Sequence, residues 1–400
     1  MSRRLQHDVL VIGGGVVGSA CALALADAGL DVALVEAKPP PRWTAEPRDL
    51  RVFAFAHDNA ALLQALGAWV DIRDTRAHPY RRMQVWDAGG GDDLGFDADT
   101  LGRRELGWII ENSLLADRLW RRLDAAGVAV HCPASLSHLE QTDDAVRVQL
   151  DDGQRLSARL LVAADGAASP VREQVGIGVD THAYHQRGVV AYIRCEQPHR
   201  DTTWQRFLPG GPLAVLPCGE ADGAADGSHL ASIVWSLPDA DAERLLASDD
   251  ATFNTALTRA FDARLGAMQL VSSRAAFPLR RQLAATQCSG RVLLVGDAAH
   301  VVHPLAGQGV NLGLRDVAAL RDSVLQARQQ RAAFDQPHRL QRWARRRRSE
   351  NAVAAHAFDG INRVFSNDHP AAVLLRGPAL AMAGRLPPLA AALWRRASGV

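Results

Sequence analysis

Lysine is almost absent from this 400-residue sequence: Lys38 is the only one, so nearly all of the 45 basic residues are arginines. Charge of neither sign is in excess, because 44 acidic residues leave a formal net charge of +1. A chain this close to neutrality has no bulk positive field, which argues against a nucleic-acid partner. Its 48% hydrophobic and 22% charged residues are typical of a globular protein, and its length suggests two or three domains.

Long apolar runs and paired cysteines are also missing. No run of 18 apolar residues occurs, so no membrane span is predicted. The five cysteines lie far apart without a CxxC pair, which predicts reduced thiols, a cytosol-like compartment and no metal site. The polar stretch Gln6-His7-Asp8 follows the N-terminal arginines, and the next apolar run is only strand-length, so we expect no signal peptide. The sequence therefore predicts a cytoplasmic protein.

A dinucleotide-binding pattern opens the chain. An apolar run to Ile12 predicts a buried strand, Gly13, Gly15 and Gly18 form GxGxxG, and an alanine- and leucine-rich helix follows. A second predicted strand ends at Glu36, 18 positions past the last glycine. The glycines permit a tight turn and close approach of a pyrophosphate, and Glu36 can hydrogen-bond an adenosine ribose. Because a carboxylate disfavours a 2′-phosphate, the pattern predicts FAD or NAD rather than NADP.

Two further predicted strands end in loops that carry glycine and aspartate. The apolar run 160–164 ends at Asp165-Gly166, and the run 292–295 ends at Gly296-Asp297. Apolar residues at helical spacing begin near Gln308. The free N–H groups at the start of that predicted helix would therefore face the loop that begins at Gly296-Asp297. Taken alone, residues 294–314 are equally compatible with an ordinary strand–loop–helix whose glycines cap the helix, and Asp165-Gly166 is also compatible with a simple turn. The three loops together favour one shared cofactor site.

The rest of the chain shows two kinds of pattern. From residue 315 onward the sequence reads as helical throughout. Alternating apolar runs, which predict antiparallel strands, occur at 189–193, 205–208, 213–216 and 230–235. The chain is therefore expected to combine a parallel α/β unit with an antiparallel sheet.

The order of these motifs resembles that of the class A flavoprotein monooxygenases, the aromatic hydroxylases with the p-hydroxybenzoate hydroxylase fold. The resemblance covers about residues 7–365, and within that family the chain is similar to the bacterial ubiquinone-biosynthesis hydroxylases. The stretches that carry the resemblance are Asp49-Leu50-Arg51, His78-Pro79-Tyr80-Arg81-Arg82, Glu111-Asn112, Trp204-Gln205-Arg206-Phe207, Phe277-Pro278-Leu279 and residues 296–313. The C-terminal forty residues match poorly.

This resemblance implies an α/β fold in which a Rossmann-like FAD-binding domain is interleaved with an antiparallel-sheet substrate domain and followed by a helical C-terminus. The FAD-binding domain would comprise residues 1–75, 100–180 and 285–330. The substrate domain would comprise residues 76–99 and 181–284, and the C-terminal helical region residues 331–400.

The resemblance also implies the contacts of a non-covalent FAD. Gly13, Gly15 and Gly18 would bind its ADP half, with Glu36 on the ribose, and Gly296 and Asp297 would hold the ribityl chain. Asp165 and Gly166 would lie near both FAD and the incoming nicotinamide. Residues expected beside the flavin ring, or facing the flavin or the substrate, are Pro304, Gly307, Gly309, Asn311, Arg51 and Asn112, the last at a position where related enzymes have Arg or Gln.

The family reaction uses NAD(P)H to reduce FAD and O2 to form a C4a-hydroperoxide, whose distal oxygen attacks an electron-rich ring. The implied function is hydroxylation of a polyprenylated phenol or quinol of ubiquinone biosynthesis, most like the 3-methyl-6-methoxy-1,4-benzoquinol step. The chain has no second GxGxxG, so the nicotinamide is expected to bind transiently. No general base is evident, and the candidates, each also compatible with a structural or surface role, are His182, Tyr184, His185 and His303.

Other functions on the same core are weighed against this one. A flavin-dependent halogenase needs a catalytic lysine and a Trp-x-Trp-x-Ile-Pro stretch, but Lys38 lies in the wrong region and no such stretch occurs. Another class A hydroxylase of a small aromatic, and a flavin dehydrogenase or prenyl reductase of the superfamily, stay open. A non-catalytic assembly subunit is disfavoured, since a fold alone does not require Asp165, Asp297 and all three glycine loops.

The C-terminal region combines arginines with apolar side chains. Residues 371–397 interleave them and include Trp394, and Pro387-Pro388 is expected to divide the region into two short helices. Such helices suit an anionic membrane surface, where a polyprenyl substrate would be met, although helices of this kind more often pack on their own domain. The region is therefore a candidate for peripheral contact with the inner face of the plasma membrane or with a ubiquinone-biosynthesis complex.

Overall fold

A computed structural model describes residues 6–40, 42–90, 92–219, 229–303 and 308–365. Its strands are β1 (His7–Ile12), β2 (Val32–Val35), β3 (Val52–Phe55), β4 (His78–Tyr80), β5 (Arg82–Asp87), β6 (Leu94–Asp97), β7 (Gly107–Glu111), β8 (Ala129–His131), β9 (Leu136–Gln141), β10 (Val146–Leu150), β11 (Arg155–Ala163), β12 (Val179–Cys195), β13 (Thr202–Phe207), β14 (Leu213–Pro217), β15 (Leu230–Pro238), β16 (Met268–Leu270), β17 (Ala275–Ala284), β18 (Cys288–Ser289), β19 (Val292–Leu294) and β20 (His300–Val301). Its helices are α1 (Val16–Asp27), α2 (His57–Ala65), α3 (Trp69–Arg76), α4 (Asn112–Leu123), α5 (Pro170–Gln174), α6 (Asp239–Ala247), α7 (Asp250–Ala260), α8 (Gln308–Gln329) and α9 (Pro337–Phe365), with a 3₁₀ turn at Gly296–Ala298.

The first sheet is an eight-stranded sheet with a parallel centre. Its strand order is β18-β19-β11-β1-β2-β8, and the antiparallel pair β10-β9 continues from β11. Side chains of α1, α4 and α8 pack on one face, and those of β9 and β10 pack against the other. Burial on both faces explains the unbroken apolar run of β1, in which Leu10 and Val11 are fully buried. The predicted strand–glycine turn–helix–strand unit is confirmed as β1, α1 and β2.

The second sheet has nine strands and is mostly antiparallel. Its order is β20-β17-β12-β15-β14-β13-β5-β6, with β16 paired to β12. The contact between β13 and β5 is parallel and joins residues 82–87 to residues 202–207. Helices α6 and α7 cover one face through buried residues such as Phe253 and Leu257. The four antiparallel strands predicted from alternation are confirmed as parts of β12, β13, β14 and β15.

A small third sheet joins the two large ones. It has the order β3-β7-β4, so His78–Tyr80 belongs to this sheet rather than to the nine-stranded one. Ala54 and Ile109 of the small sheet pack against Tyr192, Leu216 and Cys218 of the nine-stranded sheet. The fold is therefore the mixed α/β arrangement of a Rossmann-like domain interleaved with an antiparallel sheet and followed by C-terminal helices.

Within the described residues the helical C-terminal part is interrupted at one place, so the prediction of helix throughout from residue 315 is wrong there. Helix α8 ends at Gln329 and α9 begins at Pro337. The connection is held by Asp335, which accepts hydrogen bonds from Arg159 at 2.5 Å and from Arg291 at 2.7 Å. These long-range ion pairs favour a loop that local helical spacing does not reveal. Across the described residues, every helix is too short or too polar to cross a bilayer.

Candidate functional site

The three predicted loops lie side by side at one edge of the eight-stranded sheet. Ile12 is in register with Ala163, and Ala163 with Leu294. The backbone continues this pairing beyond the strands, because the Ala164 N–H donates to Ile12 at 2.7 Å and the Val295 N–H donates to Ala163 at 2.9 Å. Ligands of such sheets bind at the carboxyl ends of the strands. The loops that begin at residues 13, 164 and 295 therefore form one candidate site.

The glycine loop is shaped by close backbone contacts at two of its three glycines. Gly13 has a φ of +101°, and a Cβ there would lie 2.4 Å from the Ala164 carbonyl oxygen. A Cβ on Gly18 would lie 1.9 Å from the Gly13 carbonyl oxygen. At Gly15, by contrast, a Cβ would meet nothing within 4 Å. Gly15 also caps α1 without a side-chain hydrogen bond, so the positive end of the helix opens onto this space.

The backbone of Gly14 is held from both sides. Its N–H donates to the Glu36 carboxylate, which also accepts from the Lys38 N–H at 3.0 Å. Its carbonyl accepts from the Trp120 indole at 2.6 Å and from the Ser19 hydroxyl at 2.9 Å. Glu36 thus lies beside the glycine loop, where the fingerprint requires it, and its contact with a ribose stays a prediction. Trp120, on α4, was not predicted from the sequence, because the glycine pattern gives no sign of which distant residue packs on it.

The loop after β11 contains a buried carboxylate oxygen without a partner. Oδ2 of Asp165 accepts from the Val171 N–H at 3.1 Å, whereas Oδ1 is buried with no hydrogen bond among the described residues. Burial raises the pKa of Asp165, although hydrogen bonds from Ser169 and Val171 oppose the shift. The adjacent Gly166 has a φ of +84°, and a Cβ there would meet nothing within 4 Å. An unpaired acceptor beside open space fits a ligand that donates a hydrogen bond.

Arg172 links the loop after β11 to the turn after β19 through hydrogen bonds. Its guanidinium is buried and donates to the Ala167 carbonyl at 2.9 Å and to the Ala298 carbonyl at 2.9 Å. Ala167 belongs to the loop after β11, and Ala298 to the turn after β19. Since both acceptors are backbone groups, the arginine fixes the relative position of the two loops independently of their side chains.

Asp297 belongs to the 3₁₀ turn that follows β19. Gly296 has a φ of +58°, which lets the chain turn sharply after β19. The Asp297 residue is exposed, yet desolvation raises the pKa of its carboxyl, so it is both solvent-accessible and closely surrounded by protein. Charges on His300, Arg51 and Arg280 partly offset the shift in the pKa of Asp297. Within the described part of the chain, its carboxylate makes no hydrogen bond, so it is free to bind hydroxyl groups.

Beneath this turn, Asp316 of α8 is a fully buried carboxylate with several donors around it. Oδ2 accepts from the Gly296 N–H at 3.1 Å and lies 2.6 Å from Nε2 of His300. Oδ1 accepts from Arg347 at 2.8 Å and from Asn351 at 3.0 Å, both on α9. Burial alone would raise the pKa of Asp316, but His300, Arg347 and Asn351 outweigh it and lower the pKa to about 2. Asp316 therefore joins the turn to the C-terminal helix.

A backbone hydrogen bond joins Arg51 and Asn112. The Asn112 N–H donates to the Arg51 carbonyl at 2.9 Å. Asp49 shapes the stretch, because its carboxylate accepts from the Arg51 N–H at 2.9 Å and from the Ser113 N–H at 2.9 Å. The Arg51 side chain is exposed and near enough to Asp297 to lower the pKa of that carboxyl. Arg51 thus lies near Asp297, and its contact with flavin or substrate stays a prediction, as does that of Asn112.

The loop before α8 is only partly described. Pro304 and Gly307 lie outside the described residues, whereas a Cβ on Gly309 would meet nothing within 4 Å. The side chain of Asn311 is fully buried and serves the fold. It accepts from the Ala56 N–H at 3.1 Å and from Asn59 at 2.8 Å, and donates to the Ala54 carbonyl at 2.8 Å. Asn311 therefore holds α8 to the small sheet, and a contact between this residue and the cofactor stays a prediction.

Between the small sheet and the nine-stranded sheet lies a narrow gap of about 10 Å³, whose lining includes His78 and the ion pair of Arg76 and Glu111 as well as apolar groups. Tyr192 donates its hydroxyl hydrogen bond to the Asp49 carbonyl at 3.0 Å, and the guanidinium of Arg48 lies 5.6 Å from the centre of the Tyr192 ring. Burial raises the pKa of Cys218 to about 12, so this thiol stays protonated. These residues line the gap together with Val52, Ile109 and Gly219. The gap adjoins the stretch that contains Arg51.

Three of the four candidate bases pack together. The rings of Tyr184 and His303 pack edge-on with centroids 5.0 Å apart, and Tyr184 donates to Asp359 of α9. Both ring nitrogens of His303 are buried without a partner, and burial lowers its pKa to about 4, although Asp359 opposes the shift. His182 packs on Tyr184 at 5.2 Å, and His185 is exposed. A base role for any of them stays a prediction.

One group of side chains in the described ranges has the spacing of metal ligands. It comprises His78, His199 and Asp201, whose candidate ligand atoms all lie within 4.8 Å of one another. His78 Nε2 is 3.0 Å from Asp201 Oδ1, so the two already form a hydrogen-bonded pair. The Asp201 N–H donates to Nδ1 of His199 at 3.1 Å. These existing bonds account for the arrangement, and the prediction of no metal site stays a prediction.

The residues present fit a dinucleotide. Open space over Gly15, Gly166 and Gly309 leaves room for a ligand along all three loops. The positive end of α1 suits a pyrophosphate, the unpaired Asp165 Oδ1 suits a hydrogen-bond donor, and the free Asp297 carboxylate suits ribityl hydroxyls.

Replacing Asp297 by alanine is expected to weaken FAD binding by about 1.5–3 kcal/mol, the size of a hydrogen bond to a charged group. Fluorescence titration of the apoprotein with FAD measures the change. Asp262→Ala is the control, because Asp262 is exposed and belongs to the loop after α7. Equal FAD affinity of Asp297→Ala and the wild type would show that the ribityl role belongs to another residue.

Comparison with known protein families gives a match that spans most of the chain. The family model described as an FAD binding domain matches residues 6–353. The chain is 36% identical over 380 residues to the 3-demethoxyubiquinol 3-hydroxylase of Escherichia coli K12, covering 94% of this chain and 95% of that protein. It is 35% identical to ubiquinone hydroxylase UbiL of Rhodospirillum rubrum, covering 98% and 89% of the two chains. It is 33% identical to the human mitochondrial ubiquinone biosynthesis monooxygenase COQ6, covering 96% and 90%.

Solved structures with the same fold are more distant in sequence. The p-nitrophenol 4-monooxygenase PnpA of Pseudomonas putida superposes with a TM-score of 0.76 at 21% identity, covering 99% of both chains. Klebsiella pneumoniae HpxO, solved with FAD and uric acid, superposes with a TM-score of 0.74 at 19% identity, covering 97% of both chains. At these identities the likeness establishes the fold.

Proposed function

We propose that this chain, which belongs to the FAD-dependent monooxygenases of the ubiquinone-biosynthesis hydroxylase family, hydroxylates a polyprenylated quinol with NAD(P)H and O2. The observation that carries the proposal is 36% identity over nearly the full length of a 3-demethoxyubiquinol 3-hydroxylase. The finer proposal is that the substrate is the polyprenylated 3-methyl-6-methoxy-1,4-benzoquinol. That ring already bears two hydroxyls, a methyl, a methoxy and a prenyl chain, so one carbon is open to hydroxylation.

In this proposal the chain positions the cofactor and the cofactor carries the redox chemistry. When bound, FAD accepts a hydride from NAD(P)H and activates O2. The start of α1 and Gly15 hold its pyrophosphate, Glu36 its adenosine ribose and Asp297 its ribityl hydroxyls. Arg51 and Arg280, whose charges already act on Asp297, stabilise the negative charge that develops on the isoalloxazine during reduction.

The substrate ring is proposed to enter between the small sheet and the nine-stranded sheet. The gap there is lined by Tyr192, Cys218 and Ile109 and adjoins the stretch that carries Arg51. The gap has a volume of about 10 Å³ and a lining of apolar and charged groups, so the two sheets would have to separate for a ring to enter. We keep the domain boundaries predicted above as part of this proposal, with β4 and β7 forming the seam between the two domains.

The polyprenyl chain of the proposed substrate determines where in the cell the enzyme meets it. Because each buried CH₂ contributes about 0.8 kcal/mol, such a chain partitions into a bilayer and a water-exposed enzyme must meet it at a surface. We propose a cytoplasmic enzyme that binds peripherally at the inner face of the plasma membrane, with contacts to other ubiquinone-biosynthesis proteins. The predicted membrane-binding residues 371–397 lie outside the described residues.

Reduction of the bound flavin by NADH or NADPH is expected to accelerate when a quinol analogue is present. The reason is that the sequence has no second GxGxxG to hold the nicotinamide, so a bound substrate is proposed to help to bring it to the flavin. Stopped-flow absorbance at the flavin band measures the rate with and without the analogue. If neither nicotinamide reduces the flavin under either condition, another electron donor serves this enzyme.

The experiment that tests the function offers the holoenzyme a panel of prenylated phenols and quinols with both nicotinamides. Oxygen uptake and product mass are followed together. The proposal predicts uptake of O2 with formation of a product one oxygen heavier, fastest for the methyl-methoxy quinol. Turnover without oxygen in the product would indicate a flavin dehydrogenase, and preference for an unprenylated aromatic would indicate another class A hydroxylase.

A further inference from the structure

The glycine loop has a further glycine, Gly14, at a position where the GxGxxG pattern permits any residue. A Cβ on Gly14 would lie 2.6 Å from Cζ2 of the Trp120 ring and 3.1 Å from Cβ of Glu36. A larger residue at this position would therefore push the loop away from the indole. The close approach lets the indole N–H donate to the Gly14 carbonyl at 2.6 Å.

Trp120 is held in place by the helix that carries it. It belongs to α4, whose Leu115 and Leu119 are fully buried in the core that this helix shares with α1. The Trp120 ring is itself packed against the same core. A donor whose own position is fixed by packing also fixes the position of its acceptor.

The peptide bond between Gly14 and Gly15 has no side chain on either side to restrain it. Such a peptide plane can turn over at low cost, because glycine tolerates both signs of φ. In a planar trans peptide, the C=O of Gly14 and the N–H of Gly15 point in opposite directions. Turning the plane over would therefore put an acceptor where the N–H of Gly15 now stands.

Two side chains keep this peptide in one orientation. The Gly14 carbonyl accepts from the Trp120 indole at 2.6 Å and from the Ser19 hydroxyl at 2.9 Å. Turning the plane over would break both hydrogen bonds. A pyrophosphate needs donors rather than acceptors around it, so the orientation that these bonds favour is also the one that suits the cofactor.

We propose that Trp120 is a positioning residue for the cofactor, whose indole N–H keeps the Gly14–Gly15 peptide in the orientation in which the Gly15 N–H donates to the pyrophosphate of FAD. Ser19 supports the same orientation from α1. The inference rests on the proposed function, which places the pyrophosphate at Gly15. Its test measures cofactor binding without turnover, so its failure is distinguishable from a failure of the proposed hydroxylation.

The test compares Trp120→Phe, which keeps an aromatic ring but loses the indole N–H, with the matched control Trp343→Phe. Trp343 is buried in the same core, and its indole nitrogen has no hydrogen-bond partner among the described residues, so the control loses no hydrogen bond. Fluorescence titration of each apoprotein gives the FAD affinity. ³¹P NMR of the FAD-loaded proteins gives the resonances of the pyrophosphate. Ser19→Ala and the double variant Trp120→Phe/Ser19→Ala are measured in the same way.

Trp120→Phe should bind FAD about 3- to 10-fold more weakly than the wild type, as expected for loss of one hydrogen bond. The double variant, in which neither side chain holds the carbonyl, should bind FAD about 10- to 100-fold more weakly. In both variants a pyrophosphate resonance should move from its wild-type position, because the hydrogen bond from Gly15 is weakened. Trp343→Phe should leave the FAD affinity and both resonances unchanged.

Equal FAD affinity of Trp120→Phe and Trp343→Phe would overturn the proposal. Weaker binding with every phosphate resonance at its wild-type position would overturn it too, because Trp120 would then act through packing alone. If Trp120→Phe does not fold, Ser19→Ala decides the matter, since it removes a donor to the same carbonyl without changing α4. Wild-type FAD affinity and wild-type resonances of Ser19→Ala would in that case contradict the proposal.

Discussion

Asp316→Ala is expected to lower the free energy of unfolding by about 3–5 kcal/mol, because it leaves the buried Arg347 guanidinium with only the partly exposed Glu350 as its counter-charge. Arg347 is only 4% exposed and donates to Asp316, and the Gly296 N–H and Asn351 lose their acceptor as well. Urea unfolding followed by circular dichroism measures the change. The control is Asp322→Ala, an exposed aspartate on the same helix, which should change stability by less than about 0.5 kcal/mol. Equal midpoints for both variants would contradict the role given to Asp316.

The lowered pKa of Asp316 predicts that protonation of this carboxylate destabilises the folded protein in acid. The folded pKa of Asp316 is lowered from 3.8 to about 2. A group whose folded pKa is depressed contributes stability above its unfolded pKa and loses it as the pH falls through the folded value. Wild-type protein should therefore lose about 2 kcal/mol from this group between about pH 4 and pH 2, whereas Asp316→Ala should lack this component. Parallel stability curves for the two proteins across this range would show that folding does not lower the pKa of Asp316.

Gly18→Ala is expected to abolish FAD binding and to destabilise the fold. A Cβ at this position would lie 1.9 Å from the Gly13 carbonyl oxygen, so the glycine loop and the first turn of α1 must move apart. Such overpacking costs about 1–3 kcal/mol or more of unfolding free energy. FAD titration and thermal unfolding of the apoprotein measure the two effects.

The matched change is Gly15→Ala, which separates cofactor binding from folding. A Cβ there would meet nothing within 4 Å of the chain, so the apoprotein should fold with a loss of at most about 1 kcal/mol at the start of α1. The new methyl group would occupy the space proposed for the pyrophosphate, and FAD should bind about 1–3 kcal/mol more weakly. Wild-type FAD affinity of Gly15→Ala would place the pyrophosphate elsewhere.

The elements that the sequence predicts well are those set by local patterns. The first βαβ unit and the strands of residues 189–235 follow from apolar periodicity, and the helix that begins at Gln308 starts where helical spacing resumes. The three loops could be grouped because parallel strands bring their carboxyl ends to one edge. The register that places Gly13 beside Ala164 confirms that grouping.

The features that escaped prediction are long-range pairings. Arg172 reaches Ala298, 126 positions away, and Trp120 reaches Gly14, 106 positions away. The parallel contact of β13 with β5 likewise joins segments whose sequences show no sign of each other. No local pattern specifies such partners, since the residues become neighbours only after the sheets assemble.

Asp316 did leave a signal in the sequence, because it occupies the apolar stripe of α8, four residues after Leu312 and four before Leu320. An aspartate on a buried stripe must be paired, since an isolated buried carboxylate is costly. That reasoning could have singled out the residue. It could not have named His300, Arg347 and Asn351 as its partners, because they come from two other elements.

Oxygen-isotope incorporation tests the central claim most directly. The FAD-loaded enzyme is supplied with NAD(P)H, ¹⁸O2 and the prenylated 3-methyl-6-methoxy-1,4-benzoquinol, and the products are analysed by mass spectrometry. The proposed function predicts a quinol that carries one ¹⁸O atom at the open ring carbon, formed in step with nicotinamide consumption. Oxidation of the nicotinamide with all of the ¹⁸O recovered in hydrogen peroxide or water, and unchanged quinol, would contradict it.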